Sequence, residues 1–419
     1  MRNFALLIAL FLAAALSCSD NDGWRADAPR GFSEYGGSAP GGNAVTPPKD
    51  TAIFTLCVEY PADYDWQRDS APGMADRALV LFRGQKRVLE IDAGGTEGIR
   101  PDPDMNRLCR GQVYSDFNAG NSTVICLNGQ ELFRYEGREM LMGFAVRGAH
   151  VYTLGMARSG NGISFRKDGE ALLEDPDGVL RGHGTAGMGQ EGLLKDDGGA
   201  LTFWYEATVG NRLRRYMVTD GMKREVELES YVKKVHEIRS IGGETAMLIS
   251  TDASRERPVL CYGGSSMQLG RDSYPQALSS LTGCRIIPSE KGLYVLEGHR
   301  FTVGQKVEHC LWDPSGKLVL CCEDMAGLMM DGNELALVRK KEDGGLKSWS
   351  LWGKEHRPED EARLMGEHSV SFAHGRFCIA PVPVQRKFRP YIWAGKDKLA
   401  LNLNGYAICT EIYVPDEGD

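Results

Sequence analysis

Cysteine has the widest range of chemistry in this chain, since a thiolate can bind a metal, be acylated or join a disulfide. The chain contains eleven cysteines. Apart from Cys18, most stand inside apolar, strand-like stretches, at positions 57, 109, 126, 261, 284, 310, 321, 322, 378 and 409. Zinc sites usually place ligands close together in sequence, as in CxxC, and only the vicinal pair Cys321–Cys322 approaches that spacing. We therefore expect no metal site, and we expect most of these thiols to be buried as small apolar groups.

The histidines and carboxylates give no recognisable catalytic pattern. The eight histidines are scattered without an HxH or HExxH spacing, at positions 150, 183, 236, 299, 309, 356, 368 and 374. The chain has no GxSxG elbow, phosphate-binding loop or dinucleotide fingerprint. Asp102 and Asp104 could hold a hard cation, but a solvated turn is the simpler interpretation because no further carboxylates stand at fixed offsets. The sequence predicts no cofactor and identifies no catalytic residue.

One insertion combines aromatic and charged side chains. Residues 61–76, PADYDWQRDSAPGMAD, interrupt the first of the repeats described below. The candidate ligand-binding residues are Tyr60, Tyr64, Trp66 and Arg68, because aromatic rings beside hydrogen-bonding groups suit stacking on sugars or gripping a partner. The alternative is that these rings cap one end of the domain.

The start of the chain predicts export and lipid attachment. An apolar run at 4–16 is too short to span a bilayer and is typical of a cleaved signal peptide, here residues 1–17. The tetrad ALSC at 15–18 resembles the lipobox of bacterial lipoproteins, although its first two residues depart from the usual pattern. The resemblance implies acylation of Cys18, and the attached acyl chains would insert into the lipid bilayer. An ordinary secretory signal is the alternative. We expect an outer-membrane lipoprotein of the bacterial cell envelope, on the periplasmic face or the cell surface.

Composition separates a tether from a single domain. Residues 18–50 are crowded with Gly, Pro, Ser, Asp and Asn and lack apolar periodicity, so we interpret them as a disordered tether. Residues 51–419 are interpreted as one domain of ordinary globular composition. The formal net charge of -8 argues against a nucleic-acid partner.

A repeat positions most of these residues. Eight times the chain shows a strand-like run, a turn with glycine and a second short strand, as in ICLNGQELFRY and SFRKDGEALLE. The turn glycines are Gly84, Gly129, Gly169, Gly221, Gly263, Gly316, Gly353 and Gly395. A second series precedes another apolar strand in each unit, at Gly111, Gly148, Gly199, Gly243, Gly292, Gly332 and Gly375. Tight hairpins favour glycine because it accepts a positive φ.

Each unit divides into four short strand-like segments. This repeat predicts an all-β fold, namely a β-propeller of four-stranded blades. We count eight blades; seven is the alternative if the divergent fourth or seventh unit is not a blade. Residues 224–238 also fit an amphipathic helix by spacing, but they fall where strands of the repeat belong.

The first repeat unit lacks one strand, and the end of the chain has one strand more than its unit needs. The first unit begins with AIFTLCVEY at 52–60, which matches a second strand, and the chain finishes with the extra strand GYAICTEIYV at 405–414. We predict that this last strand is the missing inner strand of the first blade and closes the ring. Two disulfides become candidates: Cys57 with Cys409 across that closure, and Cys310 with Cys321 across a hairpin turn.

With units such as GAHVYTLGMARSGNGISFRKDGEALL, the chain resembles uncharacterised β-propeller lipoproteins of gut Bacteroidales. The resemblance covers residues 51–414 and implies fold and compartment, but no activity. The expected function is therefore a binding or scaffolding module for an extracytoplasmic glycan or envelope protein. The alternatives are an envelope hydrolase or lyase, with acids converging from several blades at the channel, and a structural partner of a larger complex.

Overall fold

The computed structural model shows an all-β chain. It describes residues 53–64, 76–92, 106–157, 161–180, 193–196, 199–251, 258–269, 279–301, 307–331, 334–341, 346–351, 354–357, 363–364, 370–373, 376–379, 381–382, 391–394 and 397–413. Within these ranges there are thirty-five strands and no α-helix. The lipobox and tether lie outside the described residues, as do Trp66 and Arg68.

The strands in chain order are β1 (Phe54–Glu59), β2 (Ala78–Arg83), β3 (Lys86–Asp92), β4 (Asn106–Cys109), β5 (Gln112–Ala119), β6 (Ser122–Leu127), β7 (Gln130–Glu136), β8 (Glu139–Arg147), β9 (His150–Ala157), β10 (Ile163–Lys167), β11 (Glu170–Asp175), β12 (Gly178–Leu180), β13 (Lys195–Asp196), β14 (Leu201–Val209), β15 (Arg212–Thr219), β16 (Met222–Glu225), β17 (Lys234–Ile241), β18 (Glu244–Ser250), β19 (Pro258–Tyr262), β20 (Ser265–Gln268), β21 (Ser279–Ser289), β22 (Gly292–Phe301), β23 (Val307–Trp312), β24 (Leu318–Cys322), β25 (Met325–Asp331), β26 (Glu334–Lys340), β27 (Leu346–Leu351), β28 (Lys354–His356), β29 (Arg363–Leu364), β30 (Val370–Ala373), β31 (Arg376–Ile379), β32 (Pro381–Val382), β33 (Tyr391–Ala394), β34 (Asp397–Ala400) and β35 (Ala407–Tyr413).

These strands form a series of antiparallel sheets, each following the last along the chain. Sheet 1 has the order β35-β1-β2-β3, sheet 2 is β4 to β7, and sheet 3 is β8 to β11. Sheet 4 is β12-β14-β15-β16 with β13 also on β14; sheets 5, 6 and 7 are β17 to β20, β21 to β24 and β25 to β28; sheet 8 is β30-β31-β33-β34. A small pair, β29 and β32, stands apart. The predicted all-β class and repeated four-stranded antiparallel sheet are confirmed.

The hairpin turns of sheets 1 to 6 occur where the glycines predict them, while the predicted turn glycines Gly353 and Gly395 lie outside the described residues. In sheets 2, 3 and 4 the turn pairs are Asn-Gly or Asp-Gly, and both residues of each pair have positive φ: Asn128 and Gly129, Asp168 and Gly169, Asp220 and Gly221. Two consecutive positive φ values define the two-residue turn whose twist matches the flanking strands. The 224–238 segment contains the end of β16 and the start of β17, so the strand interpretation was correct.

These turns are also held by hydrogen bonds to the second strand, which the sequence pattern does not predict. The side-chain oxygen of Asp168 accepts a hydrogen bond from the backbone N–H of Val151 at 2.8 Å, and the Asp168 N–H donates to the Val151 carbonyl at 2.8 Å. Asn128 makes the same two bonds to Val113, and Asp220 makes them to Leu201. Each turn between the third and fourth strands is thereby tied to the beginning of the second strand.

We expect Asp168→Ala to lower the free energy of unfolding by about 1 kcal/mol, because it removes the acceptor of one backbone hydrogen bond. Asp168→Asn is the matched control and should remain near wild-type stability, since Asn128 makes this bond in sheet 2. Guanidinium unfolding of both variants measures the difference. Equal stability of the Ala and Asn variants would contradict this role of the Asp168 side chain.

The core lies in layers between consecutive sheets. Apolar side chains of sheets 1 and 2 pack together, as do those of sheets 3 and 4, of sheets 5 and 6, and of sheets 6 and 7. The contact is close at the turn glycines: a Cβ added to Gly169 would lie 3.1 Å from the Phe133 ring of sheet 2, and one added to Gly316 would lie 2.9 Å from Met267 of sheet 5. Sheets covered on both faces require apolar residues on both faces, which explains the runs in the sequence.

Two glutamates link first strands of different sheets. In β17 and β35 the pairing register shifts at a β-bulge, at His236 and at Thr410, and a glutamate follows each. Glu237 accepts a hydrogen bond from the Ile286 N–H of β21 at 2.6 Å, and Glu411 accepts one from the Leu108 N–H of β4. A bulge redirects a side chain out of the regular alternation. Here the result is a carboxylate that spans the space between neighbouring first strands.

Candidate functional site

The junction between the first and last strands is one candidate site, which we call the terminal junction. It is formed by Glu59 and Tyr60 at the end of β1 and by residues 404–406 before β35. Glu59 is 6% exposed and accepts hydrogen bonds from the Asn404 N–H at 2.6 Å and from Arg87 at 2.8 Å. The Tyr60 N–H donates to the Tyr406 carbonyl at 2.8 Å. The backbones approach closely because residue 405 is glycine: a Cβ there would lie 3.1 Å from the Ala62 Cα.

Three rings meet at the terminal junction and form the tyrosine cluster of Tyr60, Tyr64 and Tyr406. Tyr60 stacks on Tyr64 with ring centroids 5.0 Å apart, and Tyr406 meets Tyr60 edge-on at 4.9 Å. The Arg77 guanidinium lies 4.8 Å from the Tyr60 centroid. Burial, together with the two neighbouring tyrosines, raises the pKa of Tyr406. Tyr406 is buried, whereas Tyr60 and Tyr64 remain partly exposed.

The tyrosine cluster includes half of the predicted ligand-binding set. Tyr60 and Tyr64 come together, while Trp66 and Arg68 lie outside the described residues. Sequence reasoning missed Tyr406 and Arg77. Tyr406 could have been found, because it lies within the segment 405–414 that the repeat assigns to the first blade. Arg77 has no comparable sequence signal, since only the fold brings it over Tyr60.

The predicted cysteine pair of sheet 1 is directly opposed. Cys57 and Cys409 are register partners in β1 and β35, with sulfur atoms 3.1 Å apart and both side chains buried. The structure holds both as thiols. Burial and the neighbouring Cys409 raise the pKa of Cys57 well above its ordinary value. The disulfide stays a prediction.

A second group crosses sheet 6 in a single row. Register pairs join Cys284 to Glu297, Glu297 to Cys310, and Cys310 to Cys321. Directly opposed residues share a face of the sheet, so these four form one line, the thiol row, on the face packed against sheet 5. The sulfur atoms of Cys310 and Cys321 are 2.7 Å apart. The predicted approach of these two cysteines across the hairpin is confirmed, and their disulfide stays a prediction.

Charged groups lie in and beside the thiol row. Glu297 is completely buried; its Oε2 lies 3.1 Å from His299 Nε2, while its Oε1 has no hydrogen-bond partner among the described residues. His299 is the register partner of Glu308. Ligand atoms of Glu308, Cys310 and Cys321 all lie within 4.8 Å of one another. The spacing test applied to the sequence could not find this group, because its members come from separate strands.

Other buried carboxylates of the described residues have structural partners. Glu139 accepts hydrogen bonds from Ser164 at 2.6 Å and from Arg166 at 3.1 Å, all within sheet 3. Glu237 and Glu411 accept from backbone N–H groups of the next sheet, as described above. A catalytic acid must reach its substrate's proton. These three instead hold strands together.

Within the described ranges, no helix is long and apolar enough to cross a membrane. No family model matches the chain. No curated protein matches it.

Solved structures with a similar arrangement of strands are distant. Dihydro-heme d1 dehydrogenase in complex with DHE has a TM-score of 0.44 and 9% identity, over 90% of this chain and 78% of that one. The β-propeller domain of the Trilobed protease from Pyrococcus furiosus has a TM-score of 0.41 and 10% identity, over 74% of this chain and 92% of that one. Prolyl oligopeptidase B from Galerina marginata has a TM-score of 0.40 and 8% identity, over 82% of this chain and 55% of that one. The fold of this chain is defined by its own strand pairing.

Proposed function

We propose that this protein is a lipid-anchored β-propeller of the bacterial cell envelope that binds an extracytoplasmic glycan or envelope protein. The observation that carries the proposal is the tyrosine cluster. Two partly exposed rings and an arginine lie at the terminal junction, which is formed by residues next to the first and last strands. Rigid aromatic groups lose little conformational entropy on binding and offer faces to sugars and to partner side chains.

The proposed ring has eight blades, closed by the last strand. Eight four-stranded paths are present in the described residues. β35 pairs with β1 and also contacts β30 of sheet 8, so sheet 8 meets sheet 1. First strands likewise meet between sheets 1 and 2, 5 and 6, and 6 and 7. Closure would leave no first strand with an exposed edge, which is the advantage of the propeller architecture.

The anchoring part of the proposal rests on the sequence of the first 50 residues. Acylation of Cys18 would attach the chain to the outer membrane, and residues 18–50 would act as a flexible tether. Such a tether gives a ring freedom to turn its binding loops away from the lipid.

A binding role is favoured over the alternative of an envelope hydrolase or lyase by the partners of the buried carboxylates. Glu139, Glu237 and Glu411 hold strands together, and Glu59 holds the terminal junction. These four groups are engaged by backbone or arginine donors, and the remaining buried carboxylate of the described residues, Glu297, is 0% exposed and faces His299 inside sheet 6. Next to Glu59, the terminal junction presents the two partly exposed rings of Tyr60 and Tyr64, which suit recognition.

A thermal-shift screen of the purified mature chain against host and dietary glycans tests this function. We expect at least one glycan to raise the unfolding midpoint, since ligand at about 100 times its Kd stabilises the folded state by about 2.7 kcal/mol. Tyr64→Ala should abolish the shift. Tyr231→Ala is the matched control: Tyr231 is 54% exposed, lies between sheets 4 and 5, and should not affect binding. A panel without any shift, or one whose shift survives Tyr64→Ala, contradicts glycan binding at this cluster.

A further inference from the structure

We propose that the outer end of the thiol row is a zinc site with Glu308, Cys310 and Cys321 as its ligands. Their ligand atoms already lie within 4.8 Å of one another. Two thiolates and a carboxylate on a single cation are a donor set that Zn²⁺ accepts, and the thiolates disfavour the hard cations Mg²⁺ and Ca²⁺.

The strands of sheet 6 make this arrangement rigid. Glu308 and Cys310 are two residues apart on β23, so both project from the same face. Cys321 is the register partner of Cys310 on β24. The three ligands therefore converge without loop movement, and the two sulfur atoms, 2.7 Å apart in the structure, need only separate to the ~3.7 Å that two thiolates on one tetrahedral zinc require. Cys310 is fully buried while Glu308 and Cys321 are partly exposed, so a cation can enter from the outer edge of the sheet.

The neighbouring pair Glu297 and His299 supplies an independent reason for a cation. Glu297 is 0% exposed, and within the part of the chain that the structure describes one of its oxygens has no hydrogen-bond partner. A buried carboxylate with an unsatisfied oxygen is costly unless a positive charge lies nearby. Glu297 lies in the thiol row directly opposite Cys310, where a cation bound to that thiolate would offset the cost.

His299 lies beside these three ligands, although no nitrogen of its ring is within 4.8 Å of all three ligand atoms. Its Nε2 faces Glu297 Oε2 at 3.1 Å, and its register partner is Glu308. Histidines that bind zinc through one ring nitrogen commonly hold a carboxylate with the other, which fixes the ring orientation. The Glu297–His299 pair has this form, and we expect a rearrangement of the His299 side chain to make it the fourth ligand when the cation binds. Bound zinc replaces the two thiol protons, so the site needs reduced cysteines and releases protons on binding.

Zinc titration of the reduced, metal-stripped mature chain tests the site, with a chromophoric chelator as the competitor. We expect one Zn²⁺ per chain. Cys310→Ala and Cys321→Ala should each abolish binding, and Glu297→Gln should weaken it about 10- to 100-fold, the effect typical of removing an orienting carboxylate. Co²⁺ should give thiolate charge-transfer absorption in the wild-type chain that is lost in Cys310→Ala.

Cys322→Ala is the matched control, because Cys322 adjoins Cys321 but packs on the opposite face with Leu311 and Met325. It should bind zinc as the wild type does. If Cys310→Ala fails to fold, the partly exposed Glu308→Gln variant replaces it, with loss or strong weakening of binding expected. The proposal is overturned if the reduced wild type binds no zinc, or if binding survives removal of both Cys310 and Cys321.

Discussion

Deleting residues 405–419 is expected to leave a chain that does not fold. The deletion removes β35 and with it Tyr406, Ala407, Cys409 and Ile412, all buried. Ile412 alone, as Ile412→Ala, should cost about 2 to 5 kcal/mol. Loss of the whole strand also exposes the β1 edge, so the total exceeds the roughly 5 to 15 kcal/mol that stabilises a typical domain.

The effect of the deletion should extend beyond sheet 1. Glu411 accepts the Leu108 N–H of sheet 2, and β35 also contacts β30 of sheet 8. Circular dichroism and unfolding curves of the truncated chain measure the result. Deletion of residues 416–419, which follow the last described strand, is the control and should change little. A synthetic peptide of residues 402–415 added to the truncated chain should restore part of the structure. A truncated chain with wild-type stability would contradict the role given to β35.

Oxidised protein is expected to be much more stable than reduced protein, because a Cys57–Cys409 bond would link residues 352 positions apart. The loop-entropy relation gives about 5 to 6 kcal/mol for a loop of that length and about 3 kcal/mol for the Cys310–Cys321 loop. The two cysteines separated by nearly the whole domain should therefore dominate the response to reductant.

Unfolding curves with and without reductant separate the two pairs. In a Cys310→Ala and Cys321→Ala background, reductant should still lower the midpoint strongly. Adding Cys57→Ala to that background should abolish the response. A reductant effect that persists without Cys57 would contradict the assignment. At the other pair a disulfide and bound zinc exclude each other, since zinc needs both thiolates.

Local chemistry made the repeat predictable from the sequence. Glycine at positions 129 and 169 marks turns that require positive φ, and the preceding Asn128 and Asp168 complete the signature. The missing first strand of unit one predicted the pairing of β1 with β35, which the register of Cys57 and Cys409 confirms. These features depend on residues close in sequence or on a simple count of strands.

The contacts between sheets could not be predicted in the same way. Glu237 reaches Ile286 only because a bulge at His236 turns its side chain toward the next sheet. Cys284 and Glu297 join the thiol row through the register of β21 and β22, which a one-residue shift would destroy. Strand register and the packing of sheets are three-dimensional properties, so a search for closely spaced ligands predicts no metal site here.

The most direct test of the fold is whether Cys57 and Cys409 are neighbours in the native chain. Mild thiol oxidation of the native protein, followed by proteolysis without reductant and mass spectrometry, measures this. The strand pairing predicts a linked peptide pair containing Cys57 and Cys409 that disappears on reduction and is absent when oxidation follows unfolding in denaturant at low protein concentration. Recovery of both cysteines as unlinked thiols after native oxidation, or linkage of Cys409 to a cysteine outside sheet 1, would contradict the union of the first and last strands.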